Sequence, residues 1–249
     1  MMAAHDSHAT VRESVESVLA QTVPELELIV VDDGSQVPIA DALNGIRDER
    51  LRVIRQERNR GPAVARNVAL RQARSEFVSQ LDSDDVWDPN YLEWVLPRFM
   101  DPAVGLVYAN VRIDRHPAGR EIAIVNTPRH PVDSFPEICT NCPIPSASPT
   151  MRSEAVRGVG GYAGWLRSAE DHNLYLKLAR AGWRFDYVDR PLATYRWPSA
   201  ESGMSHDRER VRSEALKMWI AFMLRHPLTP GPRRQVRLRL ARRLRRGSG

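Results

Sequence analysis

The chain has little cysteine, almost no lysine and no long apolar run. Its 249 residues contain only Cys139 and Cys142, spaced C-x2-C. Two cysteines cannot build a disulfide framework, and a zinc knuckle would need a second ligand pair that the flanking sequence does not offer. No apolar run reaches the roughly 18 residues of a membrane span, and no basic-then-apolar leader is present. The chain therefore reads as cytoplasmic. A G-x-G-x-x-G fingerprint after the first strand is also missing, which argues against a dinucleotide-dependent oxidoreductase. Lysine is confined to Lys177 and Lys217. Neither is placed where a phospho-receiver domain needs its late-strand lysine.

Acidic residues stop at Glu214. Up to that point 26 basic side chains face 31 acidic ones, a net −5, whereas residues 215–249 carry +10 and no acid. A mildly acidic body with a basic tail does not support nucleic-acid binding by the body. The run from Arg233 to Arg246 places Val236, Leu240 and Leu244 on one helical stripe. Two readings of it stay open: peripheral contact with an anionic membrane surface through 233–246, or a solvated extension. The sequence thus divides into a domain over 1–225, long enough for one α/β core, and a tail over 226–249.

Within the domain, strand-like and helix-like segments alternate. Thr10-Val-Arg-Glu13 has the capping-box pattern and predicts a helix with Val11, Val15, Val18 and Leu19 on one face. Leu26 to Val31 reads as a buried strand stopped by Asp32-Asp33-Gly34-Ser35, and Leu51 to Ile54 as a second. Pro62 suits the first turn of a helix that runs through Ala73. Phe77 to Leu81 is the next strand and leads into Asp82-Ser83-Asp84-Asp85, with Asp88 expected to cap the following helix. Such alternation predicts a mostly parallel sheet flanked by helices, with ligands beyond the carboxyl ends of its strands. Both acidic clusters then share one rim.

The second half is less regular. Strands are expected over 104–113 and 121–125, and the six prolines of 126–149 predict an irregular loop. Gly158, Gly160, Gly161 and Gly164 mark another loop. A helix follows from Glu170-Asp171, and another is expected over 204–224.

Six stretches together resemble a family-2 glycosyltransferase of GT-A fold. They are SVESVLAQTVPELELIVVDDGS (14–35), RNRGPAVARNVAL (58–70), FVSQLDSDDVWDP (77–89), VGGY (159–162), AEDHNLYLKLARAGW (169–183) and PLATYRW (191–197). They occur in the family's order and span most of residues 10–200. The resemblance implies a Rossmann-like α/β sheet with a C-terminal helical extension. It also implies a metal-dependent, inverting transferase of hexosyltransferase type, with a nucleoside-diphosphate sugar, a UDP-sugar first, as donor. A glycan or lipid-linked hydroxyl would be the acceptor, in cell-envelope or exopolysaccharide synthesis. Such chemistry needs a cation to neutralise the leaving diphosphate and a base for the acceptor proton. Mg²⁺ or Mn²⁺ suits carboxylate and phosphate oxygens.

Carried over by resemblance, Asp84 is the main metal ligand and Asp82 lies near metal and ribose. Asp33 meets the nucleobase edge with Asp32 behind it, and Arg66 reaches the nucleotide. Asp171 is the general base, with Glu170 beside it in the catalytic pair. Gly160 and Gly161 let backbone approach the substrates, and Tyr195-Arg196 match a late Y-R. Asp85 is read as a support or an outer ligand through water. The family's opening strand of four or five apolar residues is missing; Met2 to Ser7 resembles only its end, with His5 and Asp6 at the base-contacting loop. Two explanations compete for that departure: a start codon assigned too late, or a catalytically inactive nucleotide-sugar-binding or scaffold paralogue. On bland readings Asp33 is a turn cap, Asp171 a first-turn helix carboxylate, and Arg66 an exposed helix arginine.

Overall fold

The computed structural model describes residues 1–114, 122–125, 138, 142, 144–196 and 208–225. Its first half runs β1 (Met2–Ala4), α1 (Val11–Leu19), β2 (Leu28–Asp32), α2 (Ile39–Ala42), β3 (Leu51–Arg55) and α3 (Pro62–Gln72). The three strands are parallel in the order β1-β2-β3, with Met2 opposite Val30 and Leu28 opposite Leu51. β2 is buried along its whole length, as an apolar run between two helical layers should be. Its alternation sends Ile29 and Val31 into one core and Leu28 and Val30 into the other.

The expected gap at the first strand is not there. Met2–Ala4 is a strand, three residues long, and Met2 and Ala4 are buried. Three residues carry no periodicity, so only the pairing with β2 reveals it. Met1 accepts from the Leu81 amide at 3.2 Å and donates to the Ser79 carbonyl at 2.8 Å. β1 thereby sits between β2 and β4 (Phe77–Ser79) and joins the two sheets.

The second half continues with β5 (Val86–Trp87), α4 (Tyr91–Val95), a 3-10 turn over 96–100, β6 (Val104–Asp114) and β7 (Ile122–Val125). Then come β8 (Thr150–Arg152), α5 (Ser153–Gly158), α6 (Glu170–Arg180), β9 (Arg184–Arg196) and α7 (Arg208–Arg225). The strand order is β4-β8-β6-β9-β5, with β7 on β6. Among the described residues only β6–β9 is parallel here; β4–β8, β6–β8, β5–β9 and β6–β7 are antiparallel. The parallel character thus belongs to the first half, and the second is mixed. One core packs α3, α5, α6 and α7 on the sheet through Leu70, Val156, Leu174 and Trp219, and the other packs α1 and α4 through Val15 and Tyr91.

Two expected caps are absent. Thr10 makes no side-chain cap on α1; its hydroxyl donates to the Ser83 carbonyl at 2.8 Å, and Glu13 pairs with Arg196. Asp88 does not cap α4, whose N-cap is Asn90. Its carboxylate takes both terminal nitrogens of Arg112, at 2.7 and 2.9 Å. In each case a tertiary partner outcompetes the local bond. A cavity of about 150 Å³ lies at the far end of β2 and β4 from the acidic loops, lined by Leu28, Ile29, Phe77, Val78 and Ser79 among others. The expected loop at 126–149 lies outside the described residues up to 143, apart from Ile138 and Cys142. The 226–249 tail lies outside them entirely.

Candidate active site

β1, β2 and β4 run in one direction, so their carboxyl ends place 5–6, 32–35 and 82–85 on one rim. Asp32, ending β2, is buried; it accepts from the amides of Ser35 at 2.9 Å and Ile39 at 3.1 Å, and from Arg55 at 3.2 Å. Burial alone would raise its carboxyl, but the Ser35 hydroxyl and amide, the Ile39 amide and Arg55 hold it below the usual carboxylate range. Asp33 is buried too, and accepts from Gln56 at 2.8 Å and the amides of Arg60 at 2.9 Å and Gly61 at 2.7 Å. It is no local turn cap: it anchors the turn that starts α3, where Pro62 takes the first helical turn as expected. Gly34 is required there, because a Cβ would lie 2.4 Å from the Arg58 carbonyl carbon. Asp6 joins the same rim by accepting from the Gln36 amide at 2.8 Å, and its own amide donates to the Ser35 hydroxyl.

Among the described residues, Arg66 and Arg196 bring positive charge to the 82–85 loop and do not offset the burial of its carboxylates. The Asp85 amide closes a turn onto the Asp82 carbonyl. Burial, then the Asp82 charge, pushes the Asp84 carboxyl up to about 6. Burial, then Asp82 and Asp84, push the Asp85 carboxyl well above the usual carboxylate range. Asp85 is fully buried; one oxygen accepts from the Arg196 amide at 2.9 Å, and the other has no partner. An oxygen-only donor set with an orphaned buried carboxylate oxygen suits a hard divalent cation. Among the described residues, however, no three His, Cys, Asp or Glu side chains form a closed metal cage. One or two carboxylates completed by phosphate oxygens and water is the mode open to Mg²⁺ or Mn²⁺ here.

Arg66 brings the distant pieces together. It is 4 % exposed, not a surface arginine, and it bonds Asp82 at 2.5 Å and Glu170 on its other arm. Asp171, the next residue on α6, accepts from the His172 amide at 2.6 Å. Burial pushes the Asp171 carboxyl up, while the His172 amide and Arg66 pull it down. The Gly160-Gly161 loop reaches this point through Asn67, which accepts from the Tyr162 amide at 2.9 Å and donates to its carbonyl at 2.8 Å. Lys177 donates to the carbonyls of Val159 and Gly161.

Asp82, Arg66, Glu170 and Asp171 therefore form one cluster, with Asp84 and Asp85 in the adjoining turn. Asp32 and Asp33 sit on the neighbouring loop and tie to it through the start of α3. Arg196 meets the cluster by its amide on Asp85. Sequence reasoning missed Gln56, Asn67, Gln80 and Tyr162. Asn67, Gln80 and Tyr162 did lie within the stretches 58–70, 77–89 and 159–162 quoted above, but no role was assigned to them.

Comparison with known proteins bears on the family and the fold. The family model for glycosyl transferase family 2 matches residues 1–153. A pre-mycofactocin glycosyltransferase of Mycobacterium tuberculosis is 34% identical over 182 residues, 70% of this chain and 38% of the relative. The Escherichia coli UDP-Glc:alpha-D-GlcNAc-diphosphoundecaprenol beta-1,3-glucosyltransferase WfgD is 34% identical over 113 residues, 45% of each chain. This chain thus spans under half the length of these curated relatives. Among solved structures, S. aureus TarS 1-349 with UDP-GlcNAc superposes with a TM-score of 0.77 at 22% identity, covering 100% of this chain and 73% of that one. The mannosyltransferase PcManGT of Pyrobaculum calidifontis with GDP-Man and Mn2+ gives 0.71 at 21%, covering 94% and 66%. These two likenesses establish the α/β fold of GT-A type. With three-fifths of its length matched by the family model, the chain belongs to glycosyl transferase family 2.

Proposed function

We propose that this chain is an inverting, metal-dependent glycosyltransferase that moves a sugar from a nucleoside-diphosphate sugar to a hydroxyl of a glycan or lipid-linked acceptor. The observation that carries the reading is the convergence of two carboxylate sets, Asp82–Asp85 and Glu170–Asp171, on the buried Arg66. One set suits the donor diphosphate and the other the acceptor proton. Asp171 has a carboxyl pushed up by burial, nearer to neutrality than a solvated aspartate and so better matched to a base. Asp84, with Asp82, would hold the cation, which when bound neutralises charge on the leaving diphosphate. Asp33 and Asp32 set the loop that would meet the nucleobase, and Arg66 stands between nucleotide and base helix.

A UDP-sugar is the first donor to try, since the E. coli relative is named for UDP-Glc and TarS was solved with UDP-GlcNAc. The same relative's name includes a diphosphoundecaprenol acceptor, which supports a lipid-linked acceptor in envelope or exopolysaccharide synthesis. Peripheral contact with the cytoplasmic membrane face through 233–246 fits that acceptor. The inactive-paralogue reading had the missing strand as its support, and Met2–Ala4 fills that place. A panel of nucleotide sugars, read by release of nucleoside diphosphate with Mn²⁺ or Mg²⁺, tests the proposal. One UDP-sugar should turn over, stop with chelator, and slow about 10²–10⁴-fold in Asp171→Asn while UDP still binds. Full activity in Asp171→Asn, or no turnover of any donor, would overturn it.

A further inference from the structure

Arg66 is charged and buried, and its two terminal nitrogens go to different elements: one to Asp82 in the acidic loop at 2.5 Å, the other to Glu170 at the start of α6. Its guanidinium carbon lies 5.7 Å from the ring centre of Tyr162, over the face. The Tyr162 hydroxyl donates to Gln80 at 2.8 Å, two residues before Asp82, and Gln80 donates to the Ser146 carbonyl. Asn67, next on α3, clasps the Tyr162 backbone from the same helical turn. Segments 80–82, 160–162 and 170–171 are thus pinned to one turn of α3.

We propose that Arg66, Glu170 and Tyr162 form a positioning frame that fixes Asp171 against Asp82 and Asp84, and that Glu170 acts through Arg66, not on substrate. This rests on the transferase reading above. Glu170 is 6 % exposed and spends an oxygen on the guanidinium. A carboxylate so engaged is poorly free to exchange a proton with an acceptor. The span also explains the residue type. A planar fork reaches two acceptors at once, whereas a lysine ammonium at this site serves one well. Without the bridge, the carboxylates of 82–85 and 170–171 repel across the site and the start of α6 drifts. A displacement of about 1 Å can cost on the order of 100-fold in rate.

The test uses the full chain with Mn²⁺, UDP-glucose as donor, an alkyl-diphosphate-linked GlcNAc as acceptor, and UDP binding by calorimetry. Glu170→Gln keeps an oxygen for Arg66, so transfer should stay within about 10-fold of wild type, far above Asp171→Asn. Arg66→Lys should lose roughly 10–100-fold in kcat with UDP affinity within about 3-fold. The double variant should be little worse than Arg66→Lys alone, because both changes act on the same bridge. A Glu170→Gln loss equal to that of Asp171→Asn makes Glu170 catalytic and sinks the frame. So does Arg66→Lys that weakens UDP binding with kcat intact, which makes Arg66 a nucleotide contact. If the wild-type chain transfers nothing from this donor, the enzyme reading is decided by the donor panel above, and the frame is judged on Tm. Shifts of Arg66→Lys and Glu170→Gln that simply add in the double variant overturn it; a shared shift supports it. If Arg66→Lys does not fold, Glu170→Gln decides on its own.

Discussion

Asp84 shows how a single residue reports the missing charge of its loop. Its folded carboxyl keeps a proton up to about pH 6, whereas the unfolded one releases it near the ordinary aspartate value of 3.8. Between those values the unfolded state binds fewer protons, so stability falls as pH rises. Above about pH 6 the full penalty remains. Thermal unfolding of wild type from pH 4 to 7 should therefore slope downward more than Asp84→Asn. Mn²⁺ with UDP should raise Tm at pH 7.5 for wild type and hardly at all for the variant. Equal slopes and equal ligand shifts would remove Asp84 from the charge-deficient site. The aspartates themselves were legible in the sequence, because clustered carboxylates after two strands already mark a rim. Their partners were not. Arg66 meets Asp82 from 16 residues away and Glu170 from 104, and no local pattern encodes a contact at that separation. Asp88 and Thr10 fail in the same sense, as good local caps taken by distant partners.

Among the elements, the turn from Gly160 to Tyr162 is held against α3 by the Asn67 side chain. Gly161 has φ +64, and a Cβ on it would lie 2.5 Å from the Asn67 side-chain oxygen. That oxygen is held by the Tyr162 amide and cannot swing aside without breaking the clasp. Gly160 has φ +80 but open space around it. Gly161→Ala should therefore cost on the order of 2–3 kcal/mol, and Gly160→Ala only the backbone strain of about 1 kcal/mol. For a chain of this size that is a Tm fall of roughly 5–10 °C against 2–4 °C. Equal falls in the two variants would show that the Asn67 contact does not matter. Sequence reading took Gly160 and Gly161 together, as a loop whose backbone approaches the substrates. The structure uses one of them for close approach, a distinction that depends on a neighbour and not on the glycine. β1 is the opposite lesson, since its three residues form a strand because β2 and Leu81 offer partners on both sides.

At the scale of the whole molecule, the charge split sets an expectation for surfaces. A −5 body attached to a +10 segment should bring the chain to anionic vesicles tail first. Full-length protein should float with phosphatidylglycerol liposomes at low salt, lose most of that binding near 0.5 M salt, and fail to float when 226–249 is deleted. Identical flotation of both forms excludes the tail as the contact. The fold class and the rim were readable from alternation alone. The mixed second sheet was not, because the direction of β8 and β9 depends on pairings made far along the chain. Those pairings also govern how the protein is made. β6 finds its parallel partner β9 only after some 80 further residues have been added. At about 5–20 residues per second on the ribosome, that is a delay of roughly 4–16 s. During this delay the nascent chain carries a finished three-stranded sheet and a bare edge on β6. A cell making this protein must shield that edge until translation reaches Arg196.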